Sequence, residues 1–239
     1  MTNLFTYRNR KVISLSDRAA AQSLVDAVLD GHLVNEVVYR DNWRTLAACI
    51  RFSDSLLILK IPRARNLRMW ERCLSVFRGS DALRSFKHLQ LMNEIGFAAP
   101  EPVLACEKRD AGFVTDSFLC YHYAEGQRAG TADAPKILDA LRALHQKGYL
   151  RTDAQLANFL VQDDTVIFID FRLKKPWLFS ELKKAREIAR FLRSCPEARR
   201  LLTTSEVSSF WFRLAHRLEE FSVARRNFKR LIRNRKKID

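Results

Sequence analysis

The spacing of apolar residues along the chain changes several times, and each change predicts a different element. Residues 16–30 (SDRAAAQSLVDAVLD) repeat at helical spacing behind a polar cap and stop at Gly31, so they predict an amphipathic helix. From Val34 to Ile61 the period shortens to that of strands, in NEVVYR, TLAACIRF and LLILKIP, with Asp41-Asn42 and Ser53-Asp54 as turns. Helical spacing returns over residues 66–95, through Leu67, Met69, Trp70, Leu74 and Phe77, then Leu83, Phe86, Leu89, Met92 and Ile95. Gly96 caps this predicted helix, and Pro100 and Pro102 bar its continuation. Two more strand-like runs, PVLACEK and GFVTDSFLCYHY, end at Glu125-Gly126. Residues 133–147 then predict a helix with Ile137, Leu138, Leu141, Leu144 and His145 on one side, closed by Gly148. On that apolar face His145 reads as a packed core residue. An irregular stretch, YLRTDAQLANFLV, and an Asp163-Asp164 turn lead into TVIFID, and the chain from about Ser180 is helical in period.

Strands with one long helix, then a break, then mostly helices predict an α+β protein in two lobes. The N-lobe, a small sheet plus helix, covers about 1–120, the hinge about 121–126, and a mainly helical C-lobe about 127–239, together one domain. A chain of 239 residues can bury a core of that size. With 47% hydrophobic and 29% charged residues, seven Gly and six Pro, little of it should be disordered. Apolar runs such as Leu56–Leu59 are too short to cross a bilayer. No basic-then-apolar leader opens the sequence. Five scattered cysteines without a CxxC pattern or a His cluster predict reduced thiols in the cytoplasm and argue against structural zinc.

The net charge of +15 changes the picture. Arg225, Arg226, Lys229, Arg230, Arg233, Arg235, Lys236 and Lys237 face a single acid, Asp239, in the last stretch. Residues 214–232 also carry Leu214, Leu218, Phe221, Ala224, Phe228, Leu231 and Ile232 at steps of three and four. That is a basic amphipathic helix, suited to an anionic membrane surface or to docking on the C-lobe with a solvated end. The charge implies a polyanionic partner (a membrane face, a phosphorylated substrate or nucleic acid), or a basic surface that only aids solubility. Four dispersed Trp and the absence of a recognition motif weigh against nucleic acid.

One segment carries candidate chemistry: LRTDAQLANFLVQDDTVIFIDF. Asp153 and Asn158 stand in a loop after a helix, and Asp170 ends the apolar run Val166–Ile169. Phosphoryl transfer needs a carboxylate to take the acceptor hydroxyl's proton and oxygen ligands for Mg²⁺. The D-x₄-N spacing matches the protein-kinase catalytic loop, and Ile-Asp-Phe stands where Asp-Phe-Gly stands there. Lys60, closing the strand LLILK, fits a lysine that pairs with nucleotide phosphates. Each residue alone reads equally as a turn, a cap or a strand-end lysine; the order of the set is what points to chemistry. Arg172, Lys174 and Lys175 follow Asp170 where an acceptor would approach, or form a solvated basic loop.

These segments, with IGFAAPEPVLA, YHYAEG and AREIARFLRS, resemble the bacterial lipopolysaccharide core kinases, which phosphorylate heptose or Kdo sugars; the resemblance runs from about residue 46 to 195. It implies a protein-kinase-like fold and ATP and Mg²⁺ as cofactors. Asp153 would be the catalytic base, Asn158 and Asp170 the metal ligands, and Lys60 the ATP-phosphate contact. Arg151, Arg172, Lys174 and Lys175 would meet an anionic glycolipid acceptor at the inner face of the cytoplasmic membrane, where the chain would sit peripherally. Three features depart from the pattern. Arg151 stands two before Asp153, where kinase-like folds often have His. No glycine lies between Gly31 and Gly79, so YRDNWRT would serve as the phosphate lid. No helix glutamate is in register for Lys60, since Ser85 holds a suitable position and Glu71 and Glu94 do not. The departures keep a non-catalytic, pseudokinase-like binding module open as a rival, with a nucleic-acid-associated protein behind it.

Overall fold

The computed structural model describes residues 2–63, 76 and 78–221. The chain divides into two units, Met1–Glu125 and Gly126–Asp239.

The first unit is built on a seven-stranded antiparallel sheet. Its strands are β1 (Asn3–Tyr7), β2 (Arg10–Ser14), β3 (Asn35–Asp41), β4 (Leu46–Phe52), β5 (Ser55–Ile61), β6 (Pro102–Asp110) and β7 (Phe113–His122), in the order β1-β2-β6-β7-β5-β4-β3. Helix α1 (Arg18–Leu29) starts where Asp17 accepts a hydrogen bond from the Ala20 amide at 2.9 Å. Its Ala21, Leu24 and Val25 close a core with Val12, Ile50, Leu57, Leu104 and Phe118 from the sheet. The β1–β2 hairpin was not foreseen. It turns on Arg8 and Asn9, both at positive φ, and the Arg8 guanidinium is tied at 2.9 Å to both Asp26 of α1 and Asp30 just past its end. A long-range ion pair, rather than Gly at the turn, favours this hairpin, and no short-range sequence signal reports it.

The single helix expected over 66–95 is corrected. Its first part, including Leu67, Met69, Trp70, Leu74, Phe77 and Glu71, lies outside the described residues. The part described, α2 (Asp81–Glu94), has its own start. Gly79 takes a left-handed φ of 69°, and Ser80 is extended and caps the Leu83 amide at 3.1 Å. The Ser80 amide in turn donates to the buried Glu107 carboxylate on β6 at 2.9 Å, so a tertiary contact sets the helix start. Helix α2 packs on β6 and β7 with Phe86 and Met92 fully buried.

In the second unit, β8 (Gln127–Arg128), β9 (Phe159–Gln162) and β10 (Thr165–Phe168) form a small sheet in the order β10-β9-β8. Gly126 runs so close to β9 that an added Cβ would lie 3.2 Å from the Val161 carbonyl oxygen. Helix α3 (Ala134–Gln146) buries Ile137, Leu138, Leu141 and Leu144, with Pro135 in its first turn. Helix α4 (Ser180–Ser194) buries Ile188, Phe191 and Leu192. Phe159 stands edge-on to Phe168 and to Phe191, with centroids 5.4 and 6.2 Å away, joining the hairpin to α4. Each such ring contributes roughly 1.5–3 kcal/mol by burial. A 3₁₀ run (Pro196–Leu201), α5 (Thr204–Ser208) and helical residues 210–221 follow.

The inward face of this last helix differs from the expected stripe. Phe212, Ala215 and Glu219 are buried, while Leu218 and Phe221 are exposed. Glu219 decides the rotation: its carboxylate meets Arg186, Arg190 and Arg193 of α4 at 3.4, 3.2 and 3.1 Å. A carboxylate shared by three guanidiniums outweighs the apolar stripe. The basic residues expected beyond Phe221 lie outside the described residues. Among the described residues no helix is long and apolar enough to cross a membrane, and Cys49, Cys106, Cys120 and Cys195 are buried free thiols.

Candidate phosphoryl-transfer site

The second unit brings Asp153, Asn158 and Asp170 together through backbone contacts made by their neighbours. The chain leaves α3 through Leu150, which exchanges two 2.8 Å hydrogen bonds with Lys174, while the Arg172 amide donates to the Arg151 carbonyl at 3.1 Å. The loop from Leu150 therefore runs alongside the segment that follows Asp170. Within it, the Asp153 carbonyl accepts the Gln155 amide at 2.9 Å and the Asn158 side-chain Nδ2 at 3.0 Å. The Asn158 carbonyl then accepts the Ile169 amide at 3.2 Å, which sets the residue before Asp170 beside it. Gln155 Nε2 also donates to Asp153 Oδ1 at 3.0 Å, orienting that carboxylate. Asp170 is exposed and takes a left-handed φ of 48°, a conformation Asp tolerates better than most residues.

The donor set suits a hard cation. Asn158 spends its amide nitrogen on the Asp153 carbonyl, so the oxygen is the end left to face a metal, and Asp170 adds an exposed carboxylate. Among the described residues no group of three or more His, Cys, Asp or Glu could hold a metal alone. Two oxygen ligands with substrate phosphates and waters completing the shell is the arrangement Mg²⁺ favours.

Arg151 corrects the expectation of a substrate contact. Its side chain is 0% exposed, with the guanidinium 4.3 Å above the Phe159 ring and 5.8 Å from that of Phe168. Nη2 donates to the Ile169 carbonyl at 2.8 Å, whereas Nε and Nη1 are buried without a hydrogen-bond partner. Burial brings its pKa down to about 10, against the attraction of Glu187, Asp153 and Asp170, so it stays cationic at neutral pH. Arg151 thus acts as a buried post holding the residue before Asp170, since no acceptor can reach a guanidinium closed in between two phenylalanines.

The loop has a second support, which the sequence reading missed. Glu187 of α4 is buried, and its Oε1 accepts the Thr152 amide at 2.6 Å while Oε2 accepts the Arg151 amide at 3.3 Å. His145 Nε2 lies 2.9 Å from the same Oε2, so the packed histidine expected on α3 also braces this carboxylate. The Thr152 carbonyl accepts from Arg190. The available signal was a charged residue on an inward arc: Glu187 shares its helix face with Ile188, Phe191 and Leu192.

Lys174 and Lys175 are exposed on the segment after Asp170. Together with Thr152, Lys183, Arg186 and Arg190 they line a hollow of about 330 Å³. Lys60 belongs to the other unit, half-buried near the end of β5 between Ala47 of β4 and Leu119 of β7. The β3–β4 connection there lacks glycine and is turned instead by Asn42, whose Oδ1 accepts the Arg44 and Thr45 amides at 2.9 and 3.0 Å.

No protein-family model and no curated protein matches the chain. Among solved structures it is similar to WaaP in complex with acyl carrier protein, at 15% identity and a TM-score of 0.50 over 79% of this chain and 80% of that one. The Mycobacterium tuberculosis PknI kinase domain aligns at 14% identity and a TM-score of 0.42, over 69% of this chain and 75% of its own. Its C20A mutant gives the same score over 74% of its length. At such identities the likeness bears on fold: the chain has an α+β, kinase-like fold.

Proposed function

We propose that the chain is an ATP-dependent phosphotransferase acting on a sugar hydroxyl of the lipopolysaccharide inner core, heptose or Kdo, at the cytoplasmic membrane face. The observation that carries the reading is the stitching of the Asp153–Asn158 loop to Ile169-Asp170, which gathers one carboxylate fit for a proton and two oxygen ligands fit for a metal. The sequence resemblance to the core kinases and the fold likeness to WaaP support it.

In this mechanism Asp153, oriented by Gln155, accepts the acceptor hydroxyl's proton as that oxygen attacks the γ-phosphorus, whose bond to the β,γ-bridging oxygen breaks so that ADP leaves. Asn158 Oδ1 and Asp170 would hold Mg²⁺, which when bound neutralises charge on the β- and γ-phosphates. Lys60 is assigned the nucleotide phosphates by the resemblance. Arg172, Lys174 and Lys175 would meet anionic groups of the acceptor. Because WaaP was solved with an acyl carrier protein, such a protein is a partner to test here by co-elution.

The test is transfer of labelled γ-phosphate from Mg-ATP to core glycolipid taken from a strain deleted for this chain. Transfer dependent on Asp153 is expected. Nucleotide-induced thermal stabilisation without transfer would overturn the acceptor assignment. Neither stabilisation nor transfer would favour the pseudokinase reading, which the glycine-free β3–β4 turn favours.

A further inference from the structure

Three adjacent large apolar side chains project outward at the start of α4: Trp177 is 87% exposed, Leu178 48% and Phe179 65%. The core does not lack apolar residues here, since the same segment has already turned Phe171 and Leu173 inward. The tip is also firmly mounted. Before it, Lys174 is hydrogen-bonded to Leu150 in both directions; after it, the Phe179 carbonyl accepts the Lys183 amide at 3.0 Å. Phe179 takes a left-handed φ of 52°, uncommon for a bulky residue, at the point where the chain enters α4. Such an outward cluster on a rigid mount marks an interaction surface.

Its flanks say what the partner is. Lys174, Lys175 and Lys183 are exposed and line the same hollow as Trp177. The single acid between Arg172 and Arg186 is Glu181, which is paired with Lys184 at 2.8 Å. The hollow of about 330 Å³ beside Trp177 is lined by Lys174, Lys175 and Lys183, with Arg186 and Arg190, which pair with Glu219, and the buried Glu187 also in its wall. Aromatic and aliphatic side chains beside lysines fit the boundary of an anionic bilayer: the rings enter the headgroup level and the ammonium groups meet lipid phosphates. An acidic protein is the other occupant of matching charge, and it would leave the wild type without vesicle binding.

We infer that the Trp177–Phe179 tip is a membrane anchor that seats the second unit on anionic lipid. The inference rests on the membrane-face part of the proposed function and not on phosphoryl transfer. Thr152, which lines the same hollow, directly precedes Asp153, so seating the tip brings the candidate base to the lipid surface.

The experiment is co-sedimentation of the full chain with vesicles of phosphatidylcholine alone and of phosphatidylcholine with phosphatidylglycerol, beside the Trp177→Ser/Phe179→Asn variant. The wild type should partition onto the anionic vesicles, more weakly at high salt, and not onto the neutral ones. The variant should lose at least about tenfold in partitioning, because two large side chains no longer leave water, with an unchanged melting temperature. Should the double variant melt lower, Trp177→Ser alone should still lose several-fold. Equal binding by wild type and variants would overturn the anchor and assign docking to another surface. No binding by the wild type would overturn both the anchor and the membrane-face reading while leaving phosphoryl transfer to its own assay. A Trp177-dependent dimer in gel filtration without vesicle binding would overturn it in favour of a second copy of the chain.

Discussion

Glu187 accepts the backbone amide of Thr152 at 2.6 Å and thereby holds a β-branched residue at φ 77°, one position ahead of Asp153. A positive φ is costly for threonine, on the order of 1–3 kcal/mol. The carboxylate that compensates is buried on a different helix, 35 residues along the chain. The candidate base is thus aimed by a contact that only the folded second unit can make.

Glu187→Gln tests that relationship. An amide can offer only one accepting end to Thr152, Arg151 and His145, so the loop should lose about 1–3 kcal/mol of support and the melting temperature should fall. If Glu187 positions Asp153, turnover should drop roughly 10²-fold with little change in KM for ATP. A lower melting temperature with normal turnover would show that its role is structural only.

Asp153→Asn preserves size and the reach to Gln155 but removes the proton acceptor. Phosphoryl transfer should fall by roughly 10²–10⁴, with folding intact because the side chain is only half-buried. Single-turnover kinetics measure this, and wild-type rates in the folded variant would refute the assignment.

Asp170→Ala removes the exposed carboxylate proposed to hold Mg²⁺. The thermal stabilisation that Mg-ATP confers on the wild type should be lost in the variant, measured from the variant's own nucleotide-free melting temperature, which alanine at a left-handed φ and the loss of a charge attracting Arg151 should lower. Equal stabilisation of both proteins would place the metal elsewhere.

Arg151→Ala separates a buried post from a substrate contact. Deleting a guanidinium packed against Phe159 and Phe168 opens a cavity and leaves the Ile169 carbonyl without its donor. Stability should fall by about 3–5 kcal/mol, seen in denaturant unfolding. An unchanged unfolding curve with a raised KM for the acceptor would restore the substrate role.

Glu107 gives an acid-dependent signature to the first unit. Burial alone would push its carboxyl up, but hydrogen bonds from Arg109 and Ser80 outweigh it and hold the pKa below the ordinary 4.5. A depressed folded pKa contributes stability that is complete above the unfolded value and is lost as pH falls through the folded one. Glu107→Gln should therefore melt lower than wild type at neutral pH, by about 1–3 kcal/mol for two donors left poorly paired. The gap should narrow as the pH drops below about 4.5. A gap constant from neutral to acid pH would show that the carboxylate's charge contributes nothing.

The sequence by itself determined the features that repeat within a few residues. Helix period placed α1 and α3 and the start of α4, though not its end at Ser194, and strand period placed β3 through β7, to within a few positions. The proximity of Asp153, Asn158 and Asp170 was legible because they follow one another along a single loop and hairpin, where spacing largely dictates proximity. What the tertiary structure decided depends on partners far away in sequence. The β1–β2 hairpin is favoured by Arg8 reaching α1, and the start of α2 is set by Glu107 of β6. The last helix faces inward with Glu219 because three arginines of α4 converge there. Arg151 looked like a cation awaiting a substrate, and only the closing of Phe159 and Phe168 around it made it a buried support. Local periodicity reports which face of an element is apolar. Where a buried charge finds its counter-charge is a property of the packed chain, and at Glu187 that pairing sets the backbone of the candidate site.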